Sequence, residues 1–280
     1  MFLFMIALTA NCNPSSVHSQ ILISSGVYGF VPFAFLHTAL FYIGVSLAVL
    51  LRNAGYKWSA RSFQSKWDVG NSFPNLILCI PMGCMTMQAA YEYWLNDDAK
   101  ASWGYTYDMR VIEAGAWFGT YLVTDGILSL IHGMMTKDMV VHHNIFFGMC
   151  VTHFSPPVGP GFSGGVMMGQ EISTPFLNVF LLCRGFFGAN SRYTLVAFAI
   201  FFTFFFVCRV ILNTGVTVLY FQEFYKEITT GESGFEKSAR WLYSIAVLQL
   251  GGCGMQLYFF SFMVKKVYKT LITPKKKEKK

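Results

Sequence analysis

Residues 193–221 read YTLVAFAIFFTFFFVCRVILNTGVTVLYF, and this stretch decides the fold class. Arg209 is its only charged residue, and five phenylalanines lie between positions 201 and 206. They do not alternate with polar residues, so the pattern is not that of a half-buried strand. A run of about 20 apolar residues is long enough for a helix to cross a bilayer. The stretch therefore predicts a transmembrane helix with aromatic side chains facing lipid.

The whole chain has the same character. Of its 280 residues, 54% are hydrophobic and 12% are charged, whereas about a quarter of a typical soluble domain is charged. The mean hydropathy is +0.45. Membrane-spanning segments and short loops would use nearly all of this length, so no second folded domain is expected. The composition predicts an all-α integral membrane protein.

Long apolar runs predict seven transmembrane helices. They lie near residues 27–51, 74–95, 111–134, 139–155, 164–184, 193–221 and 239–264. The fourth and fifth are short and carry polar residues, and they flank SPPVGPG at 155–161, which cannot be helical. Such a pair is typical of broken helices that face a cavity.

The predicted organisation has four parts, and basic residues give it an orientation. The parts are an N-terminal extension (1–26), the first transmembrane helix with a basic loop (27–69), the main helical domain (70–270) and a Lys-rich tail (271–280). With seven spans, fifteen Lys and Arg residues lie on one side and five on the other. Because cytoplasmic loops carry the excess of basic residues, the tail is expected in the cytosol, or in the matrix of a mitochondrion.

The basic tail predicts contact with an anionic membrane leaflet rather than with nucleic acid, because it directly follows a predicted span. Its lysines are Lys275, Lys276, Lys277, Lys279 and Lys280. The last four residues resemble a dilysine retrieval signal in which Glu278 replaces a lysine. The endoplasmic reticulum is the favoured location, and the mitochondrial inner membrane and other endomembranes are alternatives.

Ionisable side chains inside predicted spans are costly and mark candidate functional positions. In the third span, Tyr121, Asp125, Ser129 and His132 recur every three or four residues, which places them on one helical face. That face is expected to point into the bundle. A hydrated groove, a reaction site or a structural hydrogen-bonded seam would each account for it.

Further polar candidates lie in the fourth, fifth and sixth spans. His142 and His143 are adjacent and point about 100° apart on a helix, so at least one should face the interior. An imidazole beside a carboxylate can act as a general base. Arg209, with Asn213 one turn later, is expected to pair with Glu171 or Asp125. The alternative is a buried polar network that fixes helix register without catalysis.

The sequence lacks the residues that several classes of functional site require. The seven cysteines are scattered without CxxC spacing, and no sequence-local set of ligands predicts a metal site. The histidine clusters of a membrane di-iron enzyme are absent, and no lysine lies midway along the seventh span. Haem ligation by histidines of the third and fourth spans stays open. A transporter is an alternative, although the halves of the chain show no internal repeat.

Four motifs in order resemble the TLC domain family across roughly residues 70–270. They are the runs Tyr121–Asp125, His142-His143, Glu171–Asn178 and Phe206–Val210. That family includes ceramide synthases, translocation-associated membrane proteins and lipid-homeostasis proteins, and the resemblance is closest to the small TLC-domain-containing proteins. It implies a barrel of six or seven helices around a lipid-sized cavity.

The resemblance also implies roles for individual residues. In the ceramide synthases the double histidine serves acyl transfer from acyl-coenzyme A to a sphingoid amine; by analogy His142 or His143 is the base and Asp125 orients it. The synthases carry two aspartates after the histidines, whereas residues 154–165 here contain none. The expected function is therefore the handling of a membrane lipid or fatty-acyl chain, acyltransferase-like or as a lipid-homeostasis regulator.

Further expectations concern cofactors, partners and the residues that bind the lipid. No covalently bound cofactor is expected, and acyl-coenzyme A is the candidate donor substrate. The main alternative to lipid handling is a non-catalytic accessory subunit that packs against a larger membrane-protein complex. Tyr121, His132, Glu171, Arg209 and Asn213 are expected to bind the lipid or to support the polar network.

Overall fold

The apolar runs of the sequence form long helices, and the described residues contain no strand. The computed structural model describes residues 17–55, 66–95, 109–154, 162–230 and 239–272. The helices are α1 (Val17–Asn53), α2 (Lys66–Leu95), α3 (Met109–Ile131), α4 (Lys137–Phe154), α5 (Phe162–Gly169), α6 (Thr174–Phe187), α7 (Arg192–Phe204), α8 (Asn213–Thr230) and α9 (Ala239–Ile272). The all-α membrane fold class is thereby confirmed. Residues 1–16, the loop 155–161 and the tail lysines at 275–280 lie outside these ranges.

Within the described residues, six helical stretches are long and apolar enough to cross a membrane. They are Val31–Asn53, Lys66–Glu92, Ala114–Ile131, Ser163–Phe187, Arg192–Thr230 and Tyr243–Lys265. The fourth predicted span is the helix α4, which is not among them. Its 18 residues would reach about 27 Å, but its first half carries Lys137, Asp138 and both adjacent histidines. A count of seven spans stays a prediction.

Two of the long stretches are interrupted by non-α turns. A 3-10 helix, Gln170–Ser173, joins α5 to α6, so the fifth predicted span is broken as expected, whereas α4 is continuous. Pro175 at the start of α6 lacks the N–H that would continue the ladder. A π-helix, Phe205–Leu212, joins α7 to α8, and the sequence pattern did not predict it.

Glycines allow α2 to pack closely on its neighbours. A Cβ atom at Gly70 would lie 2.5 Å from Val45 of α1, and one at Gly83 would lie 2.8 Å from the backbone nitrogen of Ile172. A larger residue at either position would force the helices apart. Close packing of small residues is a principal source of helix association in membranes. The Gly83 contact holds the 3-10 helix against α2.

The largest buried cluster joins α1, α2, α3, α4 and α5. It includes Leu78, Met82, Phe118, Phe146 and Met167. A second cluster, built around Phe180, Phe201 and Phe205, joins α6 and α7. The residues that face open space between these elements define the cavity described below.

Candidate functional site

A cavity of about 590 Å³ lies among α2, α3, α4, α6, α7 and α9. Polar lining residues come from both sides of the cavity: Asn71, Asn75, Tyr121, Asp125, Asp138, His142 and His143 from α2, α3 and α4, and Glu171, Ser173, Thr174, Asn178, Arg209 and Gln256 from the 3-10 helix, α6, the π-helix and α9. The apolar lining is mostly aromatic, and most of it comes from α6, α7, the π-helix and α9, including Phe180, Phe198, Phe201, Phe205, Phe259 and Phe262. Small-molecule sites typically have volumes of roughly 300–1,000 Å³. The cavity thus has the size of a ligand site and an amphipathic lining.

Asp125 and His143 form a pair in the polar lining. Nε2 of His143 lies 3.2 Å from Oδ2 of Asp125, and the two side chains are only 14% and 2% exposed. A carboxylate can only accept, so the nitrogen that faces it carries the hydrogen. The other ring nitrogen, Nδ1, is buried without a hydrogen-bond partner. A Cβ atom at Gly126 would lie 3.4 Å from it, so this nitrogen points at the α3 backbone.

His142 lies beside this pair but makes ring contacts instead of an ion pair. Its ring packs 4.6 Å from that of Phe146 and 5.8 Å from that of His143, centroid to centroid. Nδ1 is buried without a partner, whereas Nε2 is not among the buried atoms that lack partners. His142 makes no hydrogen bond to any described residue, so Nε2 is its nitrogen with access to open space. Of the two histidines, His142 is the one free to contact a ligand.

Glu171 and Arg209 meet in a second polar centre. The sequence predicted that Arg209 pairs with either Glu171 or Asp125, and in the structure its partner is Glu171. Nη2 of Arg209 lies 3.0 Å from Oε1 of Glu171 and donates to Oγ1 of Thr174 over 2.7 Å. Nε of Arg209 donates to Oγ of Ser173 over 2.6 Å. Thr174 in turn donates to Oε2 of Glu171. The buried guanidinium is therefore paired with a carboxylate and held by two hydroxyl groups, as a charge inside a membrane protein requires.

The two non-α turns build this centre. Glu171 and Ser173 belong to the 3-10 helix and Arg209 to the π-helix. π-helical turns are rare and often occur at functional sites. Both turns are local departures from a regular span, and their side chains meet where they pack together.

Tyr121 also lines the cavity, and it packs against His37 of α1. The two rings lie 5.4 Å apart, edge to face, and Tyr121 stacks on Phe118 at 5.9 Å. His37 is completely buried, and neither of its ring nitrogens has a hydrogen-bond partner.

His132 and Asn213 lie away from the cavity. The ring of His132 stacks on Trp67 at 3.7 Å and on Phe41 at 5.4 Å, and its Nε2 lies 3.4 Å from Oη of Tyr42. His132 directly follows α3, which ends at Ile131, and its ring packs against α1 and α2 instead of lining the cavity. Asn213 is fully buried, and both of its side-chain polar atoms lack partners among the described residues.

The polar cavity residues that were not singled out from the sequence include Asn71, Asn75, Asp138 and Gln256. The two asparagines are four residues apart, so a search for polar pairs at helical spacing would have found them. Gln256 is 1% exposed, and its Nε2 donates to Oε1 of Gln170 over 3.3 Å. Only the tertiary structure relates α9 to the cavity.

The described part of the chain contains no group of three or more His, Cys, Asp or Glu residues arranged to hold a metal ion. The cavity lining there offers three carboxylates, two histidines, one guanidinium and several hydroxyl and amide groups. These groups can transfer protons and donate hydrogen bonds.

The fold and the cavity define a helical membrane protein with a partly open cavity that is lined by both polar and apolar side chains. The family model of the TLC domain matches residues 68–265, which is well over half of the chain. The chain therefore belongs to the TLC domain family, a family of lipid-related membrane proteins. No curated protein and no solved structure matches the chain.

Proposed function

We propose that the protein binds a membrane lipid or fatty-acyl chain in the cavity and acts on it in the manner of an acyltransferase. The observation that carries the proposal is the Asp125–His143 pair, with His142 beside it, in the lining of a cavity whose apolar lining residues are mostly aromatic. An acyl lipid has matching parts, because its hydrocarbon chain suits the aromatic lining and its polar group suits the histidines.

The geometry supports a division of labour between the two histidines. His142 is the proposed general base, because its Nε2 is accessible and makes no hydrogen bond. It would take the proton of an alcohol or amine as that group attacks the acyl carbonyl, and then return it to the leaving thiolate or alkoxide. His143, held by Asp125, would position the ring of His142, which lies 5.8 Å away, centroid to centroid.

Acyl-coenzyme A is the proposed donor, and an amine or hydroxyl of a second lipid is the proposed acceptor. The proposal includes residence in the endoplasmic reticulum and binding of the Lys-rich tail to an anionic leaflet. The acceptor lipid would reach the cavity by lateral diffusion in the membrane. No nucleic acid is part of this function.

One observation favours a second candidate, a non-catalytic lipid-binding regulator of membrane composition. Nδ1 of His143 is buried against α3 without a partner. His143, which is the histidine paired with Asp125, therefore offers no accessible nitrogen to a ligand. A lipid sensor would need the cavity and its polar lining but no base. The two candidates differ in whether His142 is required for turnover.

The test combines lipid analysis with an assay. Lipids that co-purify with the intact protein are identified by mass spectrometry, and acyl transfer from acyl-coenzyme A to those lipids or their deacylated forms is measured in nanodiscs. Turnover that disappears in His142→Ala while lipid is still bound would support catalysis. Bound lipid without turnover in the wild type would support the regulator, and the absence of any bound lipid would refute both.

A further inference from the structure

The guanidinium of Arg209 is held along one edge only. Nε and Nη2 donate all of their hydrogens to Ser173, Glu171 and Thr174. Nη1 has no hydrogen-bond partner among the described residues, and it is not one of the buried polar atoms that lack partners. An arginine carries five N–H donors, so two of them, both on Nη1, are free and accessible.

Arg209 lines the cavity together with Ser173, Thr174 and Gln256, and the residue as a whole is 8% exposed. Because Nη1 is accessible and Arg209 is a lining residue, we assign the free edge to the cavity. The three bonds on the opposite edge fix the orientation of the plane, because a guanidinium is rigid. A ligand would therefore meet two N–H groups whose direction is already set, with little ordering cost on binding.

The charge around Arg209 selects the type of acceptor. Glu171 lies 3.0 Å away and neutralises the guanidinium, and the remaining charged residues of the described lining, Asp125 and Asp138, are both acidic. An anionic carboxylate or phosphate would meet a net negative surrounding in a medium of low polarity. A neutral oxygen acceptor avoids that repulsion and still satisfies the two donors.

We propose that Nη1 of Arg209 binds the carbonyl oxygen of an acyl group, so that the cavity selects ester, thioester or amide lipids over alkyl lipids and free fatty acids. This inference rests on the proposed lipid binding and names the part of the ligand that is recognised. Arg209 is then a substrate-binding residue in addition to being the partner of Glu171. The same donors would stabilise the oxygen as it gains negative charge during acyl transfer.

A matched pair of ligands tests the inference on the wild-type protein. An ester-linked glycerolipid and its ether-linked analogue of equal chain length compete with a fluorescent lipid for the protein in nanodiscs. A hydrogen bond to a charged group predicts that the ester binds roughly tenfold tighter or more. Equal affinity of the two lipids would overturn the role of Arg209. If neither lipid competes and none co-purifies, the proposed function itself fails, and the inference fails with it.

Variants separate recognition from folding. Arg209→Lys keeps a cation opposite Glu171 but removes the planar donor edge, so the preference for the ester should fall to about equality while the thermal midpoint stays measurable. Arg192→Lys, at the exposed start of α7, is the matched control and should keep the preference. Glu171→Gln removes the neutralising charge, and free fatty acid should then bind better than in the wild type. An unchanged ester preference in Arg209→Lys would contradict the inference.

Discussion

Nε2 of His143 lies 3.2 Å from Oδ2 of Asp125, so a residue of α4 and a residue of α3 meet in the lining of the cavity. Both residues are nearly buried, and the short connection between α3 and α4 brings them together. The pair fixes which nitrogen of His143 carries the hydrogen, because a carboxylate can only accept. Four predictions test the site and the packing that supports it.

The carboxylate of Asp125 should be required for turnover but not for lipid binding. Asp125→Asn preserves the shape of the side chain and removes its charge, so acyl transfer should fall by roughly 10²–10⁴-fold, the usual contribution of acid–base catalysis. Asp138→Asn is the control, because Asp138 also lines the cavity but makes no ion pair within the described residues. Equal losses in the two variants would show that the pair with His143 is unimportant.

The two histidines should have different effects on kinetics. His142→Ala removes the accessible nitrogen, so kcat should fall while KM for the lipid stays within a few-fold. His143→Ala removes the link to Asp125 and should lower kcat as well, with the helical fold intact by circular dichroism. If His143→Ala leaves turnover unchanged while His142→Ala abolishes it, the positioning role of His143 is wrong and the base assignment stands.

Arg209 and Glu171 should be coupled in stability. Arg209→Met leaves the buried Glu171 carboxylate without its cation, and breaking a buried pair in this way typically costs about 3–5 kcal/mol. The double variant Arg209→Met with Glu171→Gln should recover much of that loss, because no charge is left unpaired. Thermal unfolding in one detergent compares the four proteins. Additive losses in the double variant would contradict a direct interaction.

The contact of α1 with α2 should tolerate no added carbon at Gly70. Gly70→Ala places Cβ 2.5 Å from Val45, and overpacking of this kind costs roughly 1–3 kcal/mol. Gly215→Ala in α8 is the matched control, since a Cβ there meets nothing within 4 Å and alanine favours the helix by about 1 kcal/mol. The two changes should shift the midpoint of thermal unfolding in opposite directions. A shift of the same sign in both would refute the packing argument.

Sequence patterns predicted much of the fold because a membrane helix can be recognised from the composition of its own segment. Apolar runs such as 193–221 need no tertiary partner to be recognised, since lipid is their surrounding on most sides. The pairing of Arg209 with an acidic residue was also predictable, because an unpaired charge at that depth is too costly. The choice between Glu171 and Asp125 was not predictable, since it depends on how the 3-10 helix and the π-helix approach each other.

Other parts of the site could not be predicted from the amino-acid sequence alone. His132 shares the helical spacing of Tyr121 and Asp125, but α3 ends one residue before it, and its ring stacks on Trp67 instead. Helix ends depend on the connection that follows, and they are the least certain feature of a periodic pattern. Gln256 lies within an apolar predicted span, and nothing in the sequence indicates that it lines the cavity.

The sequence by itself determined that the chain is a helical membrane protein of the TLC domain family, where the polar side chains lie along each helix, and that those chains must find partners inside the bundle. Those properties follow from the cost of placing polar groups in lipid, which acts on each helix separately. Only the tertiary structure decided which groups meet, which nitrogen of His142 stays accessible, and which edge of Arg209 has no partner among the described residues. Distances and directions between helices depend on close packing at residues such as Gly70 and Gly83, and no single helix contains that information.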